Sequence, residues 1–306
     1  MISEKAKKKW RTYHEVLYIL PFVALVLIFS YYPLYGWAYA FFDYKPPLPL
    51  TWDNFVGLKW FKSLVSNKAR VSQMIMVLRN TFAMSGLSIL TSWMPMLFAV
   101  LLNEVHCERY KKAVQIITTL PNFISWVLVY SIAYSLLNTT GMINSLLQNL
   151  GLIDEPILFL QSDDHVWLNM WLWSTWKSIG WSAIMYIAAI TGIDQEMYEA
   201  AKVDGASRFQ CALHITIPSL LPTYFVLLLL SIASFLSNGM EQYYVFQNAF
   251  NKEYIQVLDL YVYNIAMGSG SYSVSTALSM LKSIISLVLL CFANGLSKLI
   301  RKEPVF

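Results

Sequence analysis

The chain has 306 residues, of which 57% are hydrophobic, 15% aromatic and only 13% charged, whereas a soluble domain carries about 25% charged residues. That balance excludes disorder and points to membrane lipid as the surrounding solvent, while three cysteines, at 107, 211 and 291, exclude a disulfide scaffold or a CxxC metal site. The net charge of +4 does not argue for nucleic acid, because the basic residues flank apolar segments and form no single stripe.

In chain order the first element is a basic stretch, residues 1–15, with Lys5, Lys7, Lys8, Lys9 and Arg11. A bilayer core about 30 Å thick needs about 20 apolar residues to cross it, and six runs of that kind are expected. They are Val16 to Phe42, Thr81 to Leu102, Val114 to Leu137, Val166 to Ile190, Leu220 to Leu236 and Ala277 to Leu296. The basic start and Ala38-Tyr39-Ala40 give the first run the outline of a signal peptide. Its length exceeds an apolar signal region of about 7–15 residues, so it is read as an uncleaved span. The reading is therefore an all-α integral membrane protein with one six-span domain over 16–300. An outer lobe over 43–80, which opens on Pro46-Pro47, is set into that domain, and a short tail occupies 301–306.

Six spans put both termini on one side. That side receives the five N-terminal basic residues together with Arg109, Lys111, Lys112, Lys202, Arg208, Lys298, Arg301 and Lys302, thirteen of the 22 Lys and Arg. Lys45, Lys59, Lys62, Lys68, Arg70, Arg79 and Lys252 fall opposite, so the positive-inside rule makes both termini cytoplasmic in a multi-pass cytoplasmic-membrane protein. The outer lobe carries most of that opposing charge, and long loops weigh less than short ones.

The third, fourth and fifth spans carry polar and aromatic groups of the kind a solute path would need. Asn122, Trp126 and Tyr130 recur at i, i+4 and i+8, one continuous helical stripe. A sugar offers hydroxyls to hydrogen-bond and C–H faces to stack, so a sugar path needs such residues; helix packing accounts for the stripe equally well. The fourth span holds Ser174, Ser178 and Trp181 on one face with Lys177 adjacent, while Trp167 and Trp171 fit an interfacial aromatic belt. A lysine in mid-span costs about 2.5–3.5 kcal/mol and faces protein or water. Lys177 is thus either paired, with Glu241 the obvious partner, or free to meet an acidic sugar. Lys282 can snorkel or take the same partner.

Between the fourth and fifth spans lies a cytoplasmic loop over 194–218. Asp194 caps a short helix, Gly205 suits the left-handed residue that ends it, and Ser207 with Gln210 forms the capping box of a second helix. The chemistry elsewhere is negative. The sequence has no GxxxxGK[ST], HExxH or GxSxG; the histidines at 14, 106, 165 and 214 are scattered; and Gly268-Ser269-Gly270 is a plain loop. No enzyme activity, metal site or bound cofactor is expected of this chain, and no fixed-period repeat argues for an inverted-repeat transporter.

Glu199, Ala200, Ala201, Gly205, Ile215, Ile217 and Pro218 stand at the spacing of the EAA loop, which resembles that of ABC-importer permeases. Ile217 replaces the usual leucine. Arg79-Asn80-Thr81 opening the second span, Leu101 to Val105 closing it, and Leu120 to Trp126 in the third look like the carbohydrate-importer permeases, especially the branch taking up complex polysaccharides and alginate-type oligosaccharides. The resemblance implies a type I ABC-importer permease fold in which this loop docks on a cytoplasmic ATPase. It also implies a second related permease, two ATPase subunits that hold ATP and Mg, and an extracytoplasmic solute-binding protein. Alignment through this resemblance adds Ser234, Ser237, Asn238 and Glu241 to Ser174, Ser178 and Trp181 as positions facing the sugar. A permease for a non-sugar solute and a secondary transporter are the competing readings.

Overall fold

The computed structural model describes residues 17–301. The basic stretch expected at 1–15, and residues 302–306 of the expected tail, lie outside the described residues. The described residues are predominantly helical and form no β-strand, only an isolated antiparallel bridge between Phe42 and Phe55. Among the described residues, five helical stretches are long and apolar enough to cross a membrane: Leu17–Phe41, Lys68–Asn103, Trp126–Asn149, Arg208–Ala233 and Tyr272–Gly295.

The described residues form two compact units. One comprises the chain up to Arg70 together with Asn264–Leu281. It begins with α1 (Leu17–Phe41), whose second half narrows to a 3-10 helix over Tyr32–Phe41 with Pro33 in its first turn. Most side chains of α1 are exposed, as suits a helix whose solvent is lipid. After it the chain folds around the Phe42 carbonyl, which accepts hydrogen bonds from Trp60 Nε1 at 3.0 Å and Ser273 Oγ at 2.7 Å. The Phe42 ring meets Trp52 and Phe55, with centroids 6.1 and 5.3 Å away. Helix α2 (Lys59–Ser66) buries Leu64 in this unit.

The other unit comprises Val71–Tyr263 and the chain from Lys282 onward. Helices α3 (Lys68–Leu90) and α4 (Met94–Asn103) form one 36-residue run, about 54 Å at 1.5 Å per residue, broken only at 91–93. The expected second span therefore starts too late, and residues 68–80 of the expected lobe are helix. Arg79-Asn80-Thr81 lies within α3 and does not open it. There the buried Asn80 donates to the carbonyls of Glu253 (2.8 Å) and Gln256 (3.2 Å), and Thr81 Oγ1 accepts the Leu258 N–H at 2.9 Å. This triplet pins the chain at 253–258.

The expected continuous third span is interrupted. Helix α5 (Glu108–Thr119) passes into a 3-10 turn, Leu120–Phe123, and α6 (Trp126–Leu137) restarts behind Ser125, whose hydroxyl caps it. Pro121 in the turn has no N–H to give, and Ile124 and Ser125 are extended. The spacing of Asn122, Trp126 and Tyr130 is therefore not one helical stripe. Helices α7 (Met142–Asn149) and α8 (Val166–Thr191) follow. At 26 residues α8 is long enough to span, but Lys177, Asn169 and its hydroxyls and indoles leave it less apolar than the five. Then come α9 (Gln195–Val203), α10 (Arg208–Cys211), a π-helical turn and α11 (Ile217–Ala233). Short α12 (Glu241–Phe246), α13 (Lys252–Ile255) and α14 (Leu258–Tyr263) precede α15 (Tyr272–Arg301). One core cluster joins Met84, Val129, Met170, Phe246 and Leu260; another joins Val100, Ala183, Tyr186 and Leu220.

Candidate functional site

Helices α3, α4, α8 and α11, with the 234–240 loop, enclose a cavity of about 590 Å³. Its lining includes six of the residues singled out from sequence: Ser174, Ser178, Trp181, Ser234, Ser237 and Asn238. It also includes serines at 85, 88 and 92 that sequence reasoning missed, although their spacing of three and four inside an apolar run puts them on one helical face. Nine serines and no charged side chain line the space. Ser178 donates to the Ser174 carbonyl at 2.8 Å and Ser231 to the Leu227 carbonyl at 2.9 Å, so each hydroxyl turns its proton to its own helix and keeps lone pairs to offer. Asn238 Nδ2 donates to Ser85 Oγ at 2.9 Å, and Ser85 in turn donates to the Phe235 carbonyl. The buried Asn238 Oδ1 has no hydrogen-bond partner. The wall therefore offers uncharged hydroxyl, amide and indole groups, donors as well as acceptors, to the hydroxyls of a solute.

Asn122, Trp126, Tyr130, Lys177 and Glu241 lie outside the lining. Lys177, 9% exposed, points from α8 to the break between α5 and α6. Its ammonium donates to the Pro121 carbonyl at 3.1 Å and the Asn122 carbonyl at 2.8 Å, and stands 5.4 Å from the Trp126 ring centroid. It thus neutralises the carbonyl end of the interrupted helix and uses its donors there. No ion pair joins it to Glu241 among the described residues. One turn on, α8 and α5 touch: a Cβ on Gly180 would stand 2.3 Å from the Thr118 carbonyl. Trp126 and Tyr130 pack on the first core cluster, Tyr130 edge-on to Phe246 at 5.1 Å. Lys282 pairs with Asp259, a residue that sequence reasoning passed over, and not with Glu241.

The 194–218 loop folds as two short helices. Asp194 accepts the Glu196 N–H at 3.0 Å, and α9 carries Glu199, Ala200 and Ala201. Gly205 takes φ +79°, so that the Ala206 N–H reaches the Ala201 carbonyl at 2.9 Å and the Gly205 N–H the Lys202 carbonyl at 3.1 Å, a Schellman close. Ser207 and Gln210 form the full capping box of α10. Ile215 lies in the π-helical turn, and Ile217 and Pro218 open α11. Tyr198 hydrogen-bonds Thr216 at 2.9 Å and ties the elbow to α11. No α9 side chain is buried, and Val203 and Phe209 are 87% and 76% exposed.

An uncharged, hydroxyl-lined cavity among apolar helices goes with the architecture of a membrane permease subunit. Residues 1–302 match the binding-protein-dependent transport system inner membrane component, and the chain belongs to that family. Protein LplB of Bacillus subtilis strain 168 is 38% identical over 292 residues, spanning 95% of this chain and 90% of the relative. The polygalacturonan/rhamnogalacturonan transport system permease protein YteP of the same organism is also 38% identical over 292 residues, spanning 95% and 89%. Among solved structures, a bacterial ABC transporter involved in the import of the acidic polysaccharide alginate superposes with a TM-score of 0.82 at 33% identity, over 97% of this chain and 98% of that one. The fold is that of a type I ABC-importer permease.

Proposed function

We propose that this chain is the membrane-spanning permease subunit of an ATP-binding-cassette importer that carries an oligosaccharide or polysaccharide fragment across the cytoplasmic membrane by alternating access. The carrying observation is the cavity wall of serine hydroxyls, Asn238 and Trp181, whose residue types can hydrogen-bond sugar hydroxyls and stack on the ring. Relatives named for polygalacturonan, rhamnogalacturonan and alginate support the substrate class.

In this reading α8 is the sixth span and both termini are cytoplasmic. A second related permease completes the path, and a solute-binding protein delivers substrate from outside. The elbow carrying Glu199, Ala200, Ala201, Gly205, Ile217 and Pro218 docks by its exposed face on one of two cytoplasmic ATPases, which hold ATP and Mg. Closure of the ATPases moves the elbow, and the helices pass the motion to the cavity. Coupling requires the cavity to bind substrate differently in its two states.

The test is uptake by the assembled transporter in proteoliposomes, offered oligogalacturonate, alginate pentasaccharide, maltopentaose and a mixture of amino acids. ATP-dependent retention of at least one glycan is expected. Uptake of amino acids alone overturns the sugar reading, and uptake without ATP overturns the ABC mechanism. In intact cells, cysteines placed at Asn149 and Lys252 should react with impermeant maleimide, whereas those at Lys111 and Lys202 should not. Mixed labelling within either pair overturns the six-span topology.

A further inference from the structure

The 234–240 loop brings Ser234, Ser237 and Asn238 to the cavity, yet it belongs to no helix and needs an external frame. Its first half is turned by the Ser234 N–H on the Leu230 carbonyl (3.1 Å) and the Ser237 N–H on the Ser234 carbonyl (2.8 Å). On the cavity side Asn238 is fixed through Ser85. At Gly239 the backbone enters the left-handed region, φ +77°. The Gly239 N–H meets Asp259 Oδ2 at 2.9 Å. The other oxygen of the same carboxylate, Oδ1, is held by Lys282 Nζ. Both charged side chains are largely shielded, 18% and 17% exposed, where a lone carboxylate would be costly and a paired one is held firmly.

We propose that Asp259, charged and oriented by Lys282, is a positioning residue for the substrate path: its carboxylate latches the Gly239 N–H and so holds Asn238 and Ser237 at the cavity wall. The latch joins three separate elements, the 234–240 loop, α14 and α15. It differs from a simple ion pair in that one oxygen serves the cation and the other serves the loop. The inference that the latch supports transport rests on the reading of the cavity as the substrate path; the latch itself does not.

Hydrogen exchange of the segment 234–240 in the assembled transporter reads the latch directly, and proteoliposome uptake of the glycan accepted by the unaltered transporter reads its use. Asp259→Ala should speed exchange at Gly239 by about fivefold, the factor that one net hydrogen bond is worth. Exchange in α8 over 174–182 should not change, and uptake should fall. Asp259→Asn combined with Lys282→Met removes both charges but leaves an amide oxygen for the N–H, so slow exchange and most uptake should return. Exchanging the two charges, Asp259→Lys with Lys282→Asp, restores an ion pair but sets an ammonium against the N–H, so exchange should stay fast. Unchanged exchange in Asp259→Ala, or slow exchange restored by the charge exchange, overturns the latch. Faster exchange with undiminished uptake keeps the latch and overturns the assignment of this cavity as the path. If Asp259→Ala does not assemble, the two double variants decide between latch and ion pair by the same readout.

Discussion

The two faces of α8 share a helix and divide its work. One face turns Ser174, Ser178 and Ser182 to the cavity; the other sets Lys177 on the carbonyls of Pro121 and Asn122 and presses Gly180 against Thr118. The charged residue, which stands out in sequence, sits on the packing face. The hydroxyls of Ser174 and Ser178, also legible in sequence, sit on the cavity side with Ser182. The difference follows from what each neighbour requires. A helix broken at Pro121 exposes carbonyls in an apolar surrounding, and a buried cation satisfies them. A solute that enters and leaves is better served by hydroxyls, whose desolvation costs little compared with that of an ion.

The packing face should break first. Gly180→Val puts side-chain carbons into the backbone of α5, at a cost of about 3 kcal/mol or more. Little folded protein should be recovered by size-exclusion chromatography, and a normal yield would show that α5 and α8 do not touch there. Lys177→Met comes next, losing two charge-assisted hydrogen bonds worth about 1.5 kcal/mol or more each. Thermal stability should drop, with uptake of acidic and neutral oligosaccharides reduced alike. Selective loss of the acidic substrate would instead move Lys177 to the solute face.

A control away from both faces is Gly205→Val, which forces a β-branched residue to a positive φ at about 1–2 kcal/mol. Insertion and yield should be retained while uptake and ATPase stimulation are lost; ordinary coupling would sink the docking role of the elbow. The smallest effects belong to the cavity face. Trp181→Ala and Asn238→Ala should each raise the substrate concentration for half-maximal uptake by about fivefold to tenfold, the worth of one stacking or hydrogen-bonding contact. Assembly should be unaffected, and unchanged uptake in both variants would remove this cavity from the path.

Legibility tracked the range of the interactions. The elbow was readable because Asp194, Gly205, Ser207 and Gln210 act on backbone within a few residues, and the structure has those caps. The break at 120–125 was hidden because hydrophobicity runs straight through it; Pro121 followed by the Ser125 cap was the available signal. Trp126 and Tyr130 were placed on a path by a spacing that holds only if the helix is continuous. The partner of Lys282 was misjudged for a related reason. Glu241 and Asp259 are both acidic and both distant in sequence, and nothing local distinguishes them.

Composition, apolar run length and capping residues by themselves determined that this is an all-helical membrane protein with a two-helix elbow over 194–218, because those depend on solvent transfer and on backbone groups satisfied nearby. Tertiary structure alone decided that the polar wall is neutral, that Lys177 secures a broken helix, and that Asp259 reaches Gly239. Each of those depends on which helix face meets which neighbour, and two residues 20 or 55 positions apart become partners only when the packed helices bring them within hydrogen-bond distance.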